Sequence, residues 1–148
     1  MTPAPTSPSG PPNDPQVERL YAAEETVIVE IGRRFRRWAD VAAFFDAVMS
    51  DDRFHESFNE APLEIEVQRR SRSARASVAV PGDRVIWIRD GAWNAITILH
   101  ALAHLAQPTD DPHGPEFAAA ALELVRLFCG FEAFIALRSA FDAHDVGH

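Results

Sequence analysis

The chain has 148 residues, about the length of one domain, and its hydrophobic share of 47% and charged share of 24% are typical of a folded globular protein. The net charge of -8 argues against a protein whose main task is to coat nucleic acid or an anionic membrane, because both tasks need a basic surface. The single cysteine, Cys129, cannot form an internal disulfide, and no segment is apolar over the roughly 20 residues that cross a bilayer. We therefore expect a cytoplasmic protein with no membrane span.

The chain divides into a short leader and one domain. Residues 1–15 contain six prolines and little that could be buried, so they are predicted to be a disordered leader before a single domain of residues 16–148. A helix is predicted from Gln16 to about Arg37, with Gly32 as a possible end. A second helix is predicted from Asp40, as its N-cap, to about Ser50. The stripe of the first helix has spacings of three and four and consists of Val17, Leu20, Tyr21, Glu24, Ile28 and Ile31.

In the middle of the chain, hydrophobic residues recur at every second position. Leu63, Ile65 and Val67 alternate with polar residues, and two more short strands are predicted at residues 77–80 and 85–88. The turn Pro81-Gly82-Asp83 between the last two predicts a hairpin. A small, antiparallel sheet is therefore expected between the helices.

Three further helices are predicted after the sheet. One begins at Asp90 or Gly91 and stops at Pro108, one begins at Gly114 and Pro115 and stops at Gly130, and the last covers residues 131–144. Helices before and after a small sheet indicate an α+β fold.

The clearest candidate site is a set of three histidines. His100 and His104 are four residues apart on a predicted helix, so both imidazoles lie on one face and can reach one ion. A turn-rich stretch of eight residues then leads to His113, which can swing back as a third ligand. Three neutral nitrogens with a fourth position for water are the usual form of a catalytic zinc site. A histidine pair of this spacing also occurs as partly buried polar residues, and it is the third histidine that favours metal; His55, His144 and His148 are predicted to be solvated.

The residues around these histidines resemble a known family. The stretches 99–105, LHALAHL, and 113–117, HGPEF, resemble small actinobacterial metallohydrolases of the HExxH zincin type, whose motif helix reads LHELAHHL and whose next helix opens with HGPEF. The opening helix from Gln16 is also similar, and a weaker resemblance extends to SprT-like zinc metalloproteases. The resemblance implies a minimal zincin fold, one Zn2+ per chain held by His100, His104 and His113, and hydrolysis of peptide or amide substrates.

One position departs from that family, because Ala101 stands where the glutamate of HExxH is found. That glutamate ordinarily takes a proton from zinc-bound water and returns it to the leaving group, which alanine cannot do. The chain is therefore a natural pseudoenzyme, an inactivated variant, or an enzyme in which another carboxylate has taken over. For the last case Glu116 is the candidate base, although its place in a first helical turn explains it more simply. Asp110 and Asp111 are candidates for turn formation or for orienting a ligand imidazole.

Two alternatives concern the binding partners and the functional class of the protein. Arginine runs at residues 33–37 and 69–75 could contact nucleic acid, but a solvated face that balances the 22 acidic residues is the favoured interpretation. The whole chain could also be a binding or regulatory module that has a structural zinc or no metal, with no enzymatic activity. Oligomeric state and substrate identity are not indicated by the sequence.

Overall fold

The computed structural model describes residues 13–148, which form six helices and a three-stranded sheet, so the predicted α+β class is confirmed. In chain order the elements are α1 (Val17–Ile31), α2 (Trp38–Met49), α3 (Asp52–Ser57), β1 (Glu66–Arg70), β2 (Val78–Val80), β3 (Val85–Arg89), α4 (Ala95–Ala106), α5 (Pro115–Phe128) and α6 (Phe131–Ala143). A single 3-10 turn, Pro81–Asp83, joins β2 to β3.

The N-terminal helices follow the sequence prediction with two differences. α1 ends at Gly32 as expected, and a Cβ at this position would lie 2.7 Å from the backbone of Ile28, so only glycine fits the turn. α2 begins at Trp38, and Asp40 lies in its first turn instead of capping it. The one-and-a-half-turn helix α3 was not predicted; the side chain of Asp51 caps it by accepting a hydrogen bond from the backbone N–H of Arg53 at 2.9 Å.

The sheet is mixed, which corrects the antiparallel prediction. β2 and β3 form the predicted antiparallel hairpin, but β1 pairs with β3 in parallel, giving the order β1-β3-β2. Alternation along a strand indicates which face is buried but not which strand is its neighbour, so the parallel pairing had no local signal. The first strand is also shorter than predicted, because Leu63 lies before it and is 78% exposed.

The helix that carries the first two histidines is the centre of the domain. It starts at Ala95, later than the predicted Asp90 or Gly91, because the side chain of Asn94 accepts a hydrogen bond from the Thr97 N–H at 2.8 Å and caps it. Gly91 instead occupies a turn with φ +97°. Ten of the twelve residues of α4 are buried, since the helix packs against α5 on one side and against β2 and β3 on another.

The folded domain starts earlier than residue 16. Asp14, which was assigned to the leader, is only 8% exposed, and Gln16 is 6% exposed. The Gln16 amide donates a hydrogen bond to the His113 carbonyl at 2.8 Å and accepts one from the Gly147 N–H at 2.9 Å. The two ends of the domain therefore meet beside His113. The predicted disorder of residues 1–12 lies outside the described residues and stays a prediction.

Candidate metal centre

The three predicted histidines converge at one point of the fold. His100 and His104 lie one turn apart on α4, and His113 lies directly before Gly114, the N-cap of α5. One nitrogen of each ring lies within 4.8 Å of the others, and the ring centroids are 4.8 to 5.3 Å apart. Three histidines are thus close enough to bind one metal ion.

Two of these rings are held in place by buried carboxylates at their Nδ1 atoms. Nδ1 of His100 lies 2.8 and 2.9 Å from the two carboxylate oxygens of Glu24, and Nδ1 of His113 lies 2.7 Å from Asp14 Oδ2. An ionised carboxylate can only accept a hydrogen bond, so each Nδ1 carries a proton, and in the neutral ring Nε2 then keeps a free lone pair. This pairing fixes the tautomer that a metal ligand requires.

The opposite nitrogens of these two rings have no hydrogen-bond partner in the part of the chain that the structure describes. Nε2 of His100 and Nε2 of His113 are both buried and have no hydrogen-bond partner among residues 13–148. An unsatisfied buried polar nitrogen costs about 1 to 3 kcal/mol, so two such atoms aimed into one small space would be unusual in a purely structural core. Both atoms are accounted for if they face a metal ion.

The third ring is kept neutral by its surroundings. Burial, together with the smaller effect of the neighbouring His100 and His113, lowers the pKa of His104 to about 3. Burial also lowers the pKa of His113, an effect that its hydrogen bond to Asp14 partly opposes. Both rings are therefore neutral at pH 7, which is the form that binds a metal.

Two aromatic rings enclose the cluster. Phe117 is fully buried, stacks on His104 with a centroid distance of 4.3 Å, and presents its edge to His100 and His113 at 4.9 and 5.1 Å. Tyr21 stacks on His100 at 5.0 Å from the other side. Burial, with added repulsion from the charges of Glu24 and Asp14, raises the pKa of Tyr21 to about 12, so its phenol stays protonated at neutral pH. The histidines thus have apolar neighbours that hold their rings in place.

The cluster lies at the floor of a cavity of about 620 Å³. One wall is the face of α1 that carries Tyr21, Glu24 and Glu25, and the opposite wall is the edge strand β2. Ala101 lies on the floor between the two α4 histidines and is 3% exposed. A volume of this size accommodates a small molecule or a few residues of a peptide.

The acidic residues that the sequence singled out lie elsewhere. Glu116 is exposed on the first turn of α5 and lines a separate hollow with Asp110 and Asp111, so the structure does not bring it to the histidines as a substitute base. Asp111 accepts the Gly114 N–H at its backbone carbonyl and so forms the turn before α5. The carboxylates that orient the imidazoles of the cluster are Glu24 and Asp14, which the sequence analysis did not identify as site residues.

Comparison with known proteins gives no match, neither to a family model, nor to a curated protein, nor to a solved structure. Within residues 13–148 the structure contains no helix that is both long and apolar enough to cross a membrane.

Proposed function

We propose that the chain is a zinc-binding domain of the metallohydrolase type whose hydrolytic step is impaired by Ala101. The observation that carries the proposal is the pair of buried Nε2 atoms of His100 and His113, each on a ring whose Nδ1 is held by a carboxylate. A histidine that merely filled the core would not need both a buried Nε2 without a partner and an Nδ1 held by a carboxylate.

The donor set favours a transition metal such as zinc over calcium or magnesium. Imidazole nitrogens suit zinc, copper, iron and nickel, whereas calcium and magnesium need oxygen ligands. Among the described residues no fourth histidine, cysteine or carboxylate joins the cluster. Structural zinc sites are closed by four protein ligands, while sites with three protein ligands and an open position are typical of catalysis.

The metal and the side chains of the cavity would each supply part of the expected chemistry. When bound, zinc would act as a Lewis acid and lower the pKa of water. Glu24 and Asp14 orient the rings that hold it, and Tyr21 offers a protonated phenol at the cavity wall. Ala101 offers no proton acceptor, a loss that typically lowers the rate by about 10²- to 10⁴-fold. The substrate we propose is a peptide or amide, because the resemblance to zincins implies one and the cavity has room for it.

Restoring a carboxylate at position 101 tests this function. We expect Ala101→Glu to raise hydrolysis of a peptide library by about 10²-fold or more over the unsubstituted chain, since it would supply the missing general base. Zinc content should not change, because residue 101 is not a ligand. Hydrolysis is followed by mass spectrometry of the library.

Ala101→Gln is the matched control for this gain. Glutamine has nearly the same size as glutamate but cannot accept the proton, so it should leave activity at the starting level. Equal activity of the two variants would contradict the proposed role of position 101 and would favour a pseudoenzyme whose cleft has lost its substrate.

The carboxylate behind His100 provides a second test that needs no substrate. We expect Glu24→Gln to raise the dissociation constant for zinc about 10- to 100-fold, the usual cost of losing a carboxylate that orients a ligand. Competition with a chromophoric chelator measures the constant. Glu25→Gln is the control, since Glu25 is the next residue on α1 and is exposed. Identical constants for the two variants would show that Glu24 does not support a metal ligand.

A further inference from the structure

The third ligand of the candidate metal centre is held differently from the other two. His100 and His104 lie within α4, whose hydrogen-bonded backbone fixes their spacing, whereas His113 lies in the turn before the N-cap of α5. The ring of His113 is held by Asp14, and its backbone carbonyl accepts a hydrogen bond from the side-chain amide of Gln16 at 2.8 Å. No other donor reaches this carbonyl within residues 13–148. The position of this ligand therefore depends on a contact between residues that are 97 positions apart in the sequence.

The side chain of Gln16 is itself held in one orientation. Its amide nitrogen also donates to the Gly147 carbonyl at 3.2 Å, and its amide oxygen accepts the Gly147 N–H at 2.9 Å. A primary amide has two N–H donors and one acceptor oxygen, so the bonds to His113 and Gly147 use both donors and the oxygen. Turning the amide over would set its N–H against the Gly147 N–H. Since Gln16 is only 6% exposed, little water reaches it to replace these bonds.

The segment that follows α6 is shaped to hold Gly147 at this place. Asp145 adopts a left-handed conformation with φ +58°, and the Val146 N–H donates back to the Phe141 carbonyl at 2.8 Å, which closes the end of α6. The side chain of Val146 is buried and belongs to the hydrophobic core. A Cβ at Gly147 would lie 3.2 Å from Cγ of Pro115, the first residue of α5. The segment thus packs against the start of the helix that directly follows the third ligand.

These contacts restrain the histidine without touching an ion. A ligand nitrogen lies at about 2.0 to 2.1 Å from zinc, so a small shift of the backbone that carries the ring weakens binding. Gln16 fixes the backbone of His113 while Asp14 fixes its ring, and both residues belong to the short segment before α1. Loss of the Gln16 amide would leave the His113 carbonyl without a donor and would free the turn to move.

We infer that Gln16 is a positioning residue of the metal centre, which holds the His113 carbonyl and so keeps Nε2 of that ring aimed at the ion. The inference rests on the proposed binding of metal by the three histidines. It extends the site to the segment after α6, which keeps the Gln16 amide in place. By thermodynamic linkage the effect is reciprocal, because a contact that tightens metal binding is itself tightened by the metal.

Replacing Gln16 with methionine in the full chain tests the inference. Methionine is close to glutamine in size but cannot donate to the His113 carbonyl. We expect Gln16→Met to raise the dissociation constant for zinc about tenfold, measured by competition with a chromophoric chelator. In the cobalt-loaded chain the visible absorption bands should also shift, since they depend on the geometry of the ligands around the ion. A residue that only added stability would leave those bands unchanged.

Two variants provide the controls. Gln68→Met makes the same exchange at an exposed position of β1 and should bind zinc as the unsubstituted chain does. Asp51→Ala removes the side-chain cap of α3, a helix that carries no ligand, so it should lower the free energy of unfolding in urea without changing the dissociation constant. The inference is overturned if Gln16→Met leaves the constant unchanged, or if Asp51→Ala raises it as much.

Hydrogen exchange of the unsubstituted chain gives a second test that needs no variant. Removing zinc with a chelator should speed exchange of the Gly147 N–H about tenfold, because that N–H donates to Gln16. The Arg89 N–H, which donates to the Ser77 hydroxyl at 2.9 Å, is the control and should exchange at the same rate with and without zinc. Equal rates for the Gly147 N–H would also overturn the inference. A chain that binds no zinc would overturn the proposed metal centre, and the inference with it.

Discussion

Replacing His104 with alanine is expected to abolish metal binding while leaving the domain folded. The site has three protein ligands, and two imidazoles on a chain bind zinc far more weakly than three held in place. His104 makes no side-chain hydrogen bond within residues 13–148, so its loss leaves no buried carboxylate without a partner. Elemental analysis should show a fall from about one ion per chain to essentially none.

His100→Ala should have the same effect on metal with a larger effect on stability. It leaves the Glu24 carboxylate, which is 4% exposed, without its hydrogen-bond donor, and the loss of a partner costs a buried polar group about 1 to 3 kcal/mol and a charged one more. Comparing the two variants by metal content and by urea unfolding separates loss of a ligand from loss of structure.

His55→Ala is the matched control for both variants. It removes one imidazole from α3, where its Nε2 contacts the Met49 carbonyl at 2.7 Å and is remote from the cluster in sequence. It should retain full metal content. If His55→Ala lost metal as completely as His104→Ala, the ion would not be held by the proposed cluster.

Removing the metal with a chelator should lower the melting temperature of the unsubstituted chain. An ion present at a free concentration of 100 times its dissociation constant stabilises the native state by about 2.7 kcal/mol, which for a chain of this size corresponds to a shift of roughly 5 to 10 °C. The ligands come from α4 and from the turn before α5, and the carboxylates that orient them, Glu24 and Asp14, come from α1 and from the segment before it. Metal binding therefore links segments that are distant in the sequence.

Differential scanning fluorimetry with and without chelator measures this shift, and His104→Ala provides the control. The variant has no ion to lose, so the chelator should not change its melting temperature. An unchanged melting temperature for the unsubstituted chain would favour the alternative of a binding module without metal, in which the histidines only fill the core.

The histidines were predictable from the sequence because their geometry is local. His100 and His104 lie four residues apart on a helix, where the period alone puts two rings on one face. His113 follows after a turn rich in proline and aspartate. A predicted helix, a turn and a second helix were sufficient to indicate that the three could meet.

The orienting carboxylates could not be located in the same way, because they act across the chain. Glu24 is 76 residues from His100, and Asp14 is 99 residues from His113. Glu24 did give a signal, since it falls in the apolar stripe of α1 where a charged residue needs a buried partner. Asp14 gave none, because it follows a proline-rich segment that suggested disorder.

The order of the strands could not be predicted from the sequence either. The alternation in β1 to β3 indicated three strands, but the insertion of β3 between β1 and β2 depends on contacts between distant segments. This order makes β2 the edge strand beside the metal centre.

The metal content of the unsubstituted chain is the most direct test of the central claim. Protein purified without a histidine tag is analysed by plasma mass spectrometry, as isolated and after dialysis against zinc. His100, His104 and His113 predict about one zinc per chain in both samples. A protein that is isolated without metal and takes up no zinc on dialysis would contradict the account.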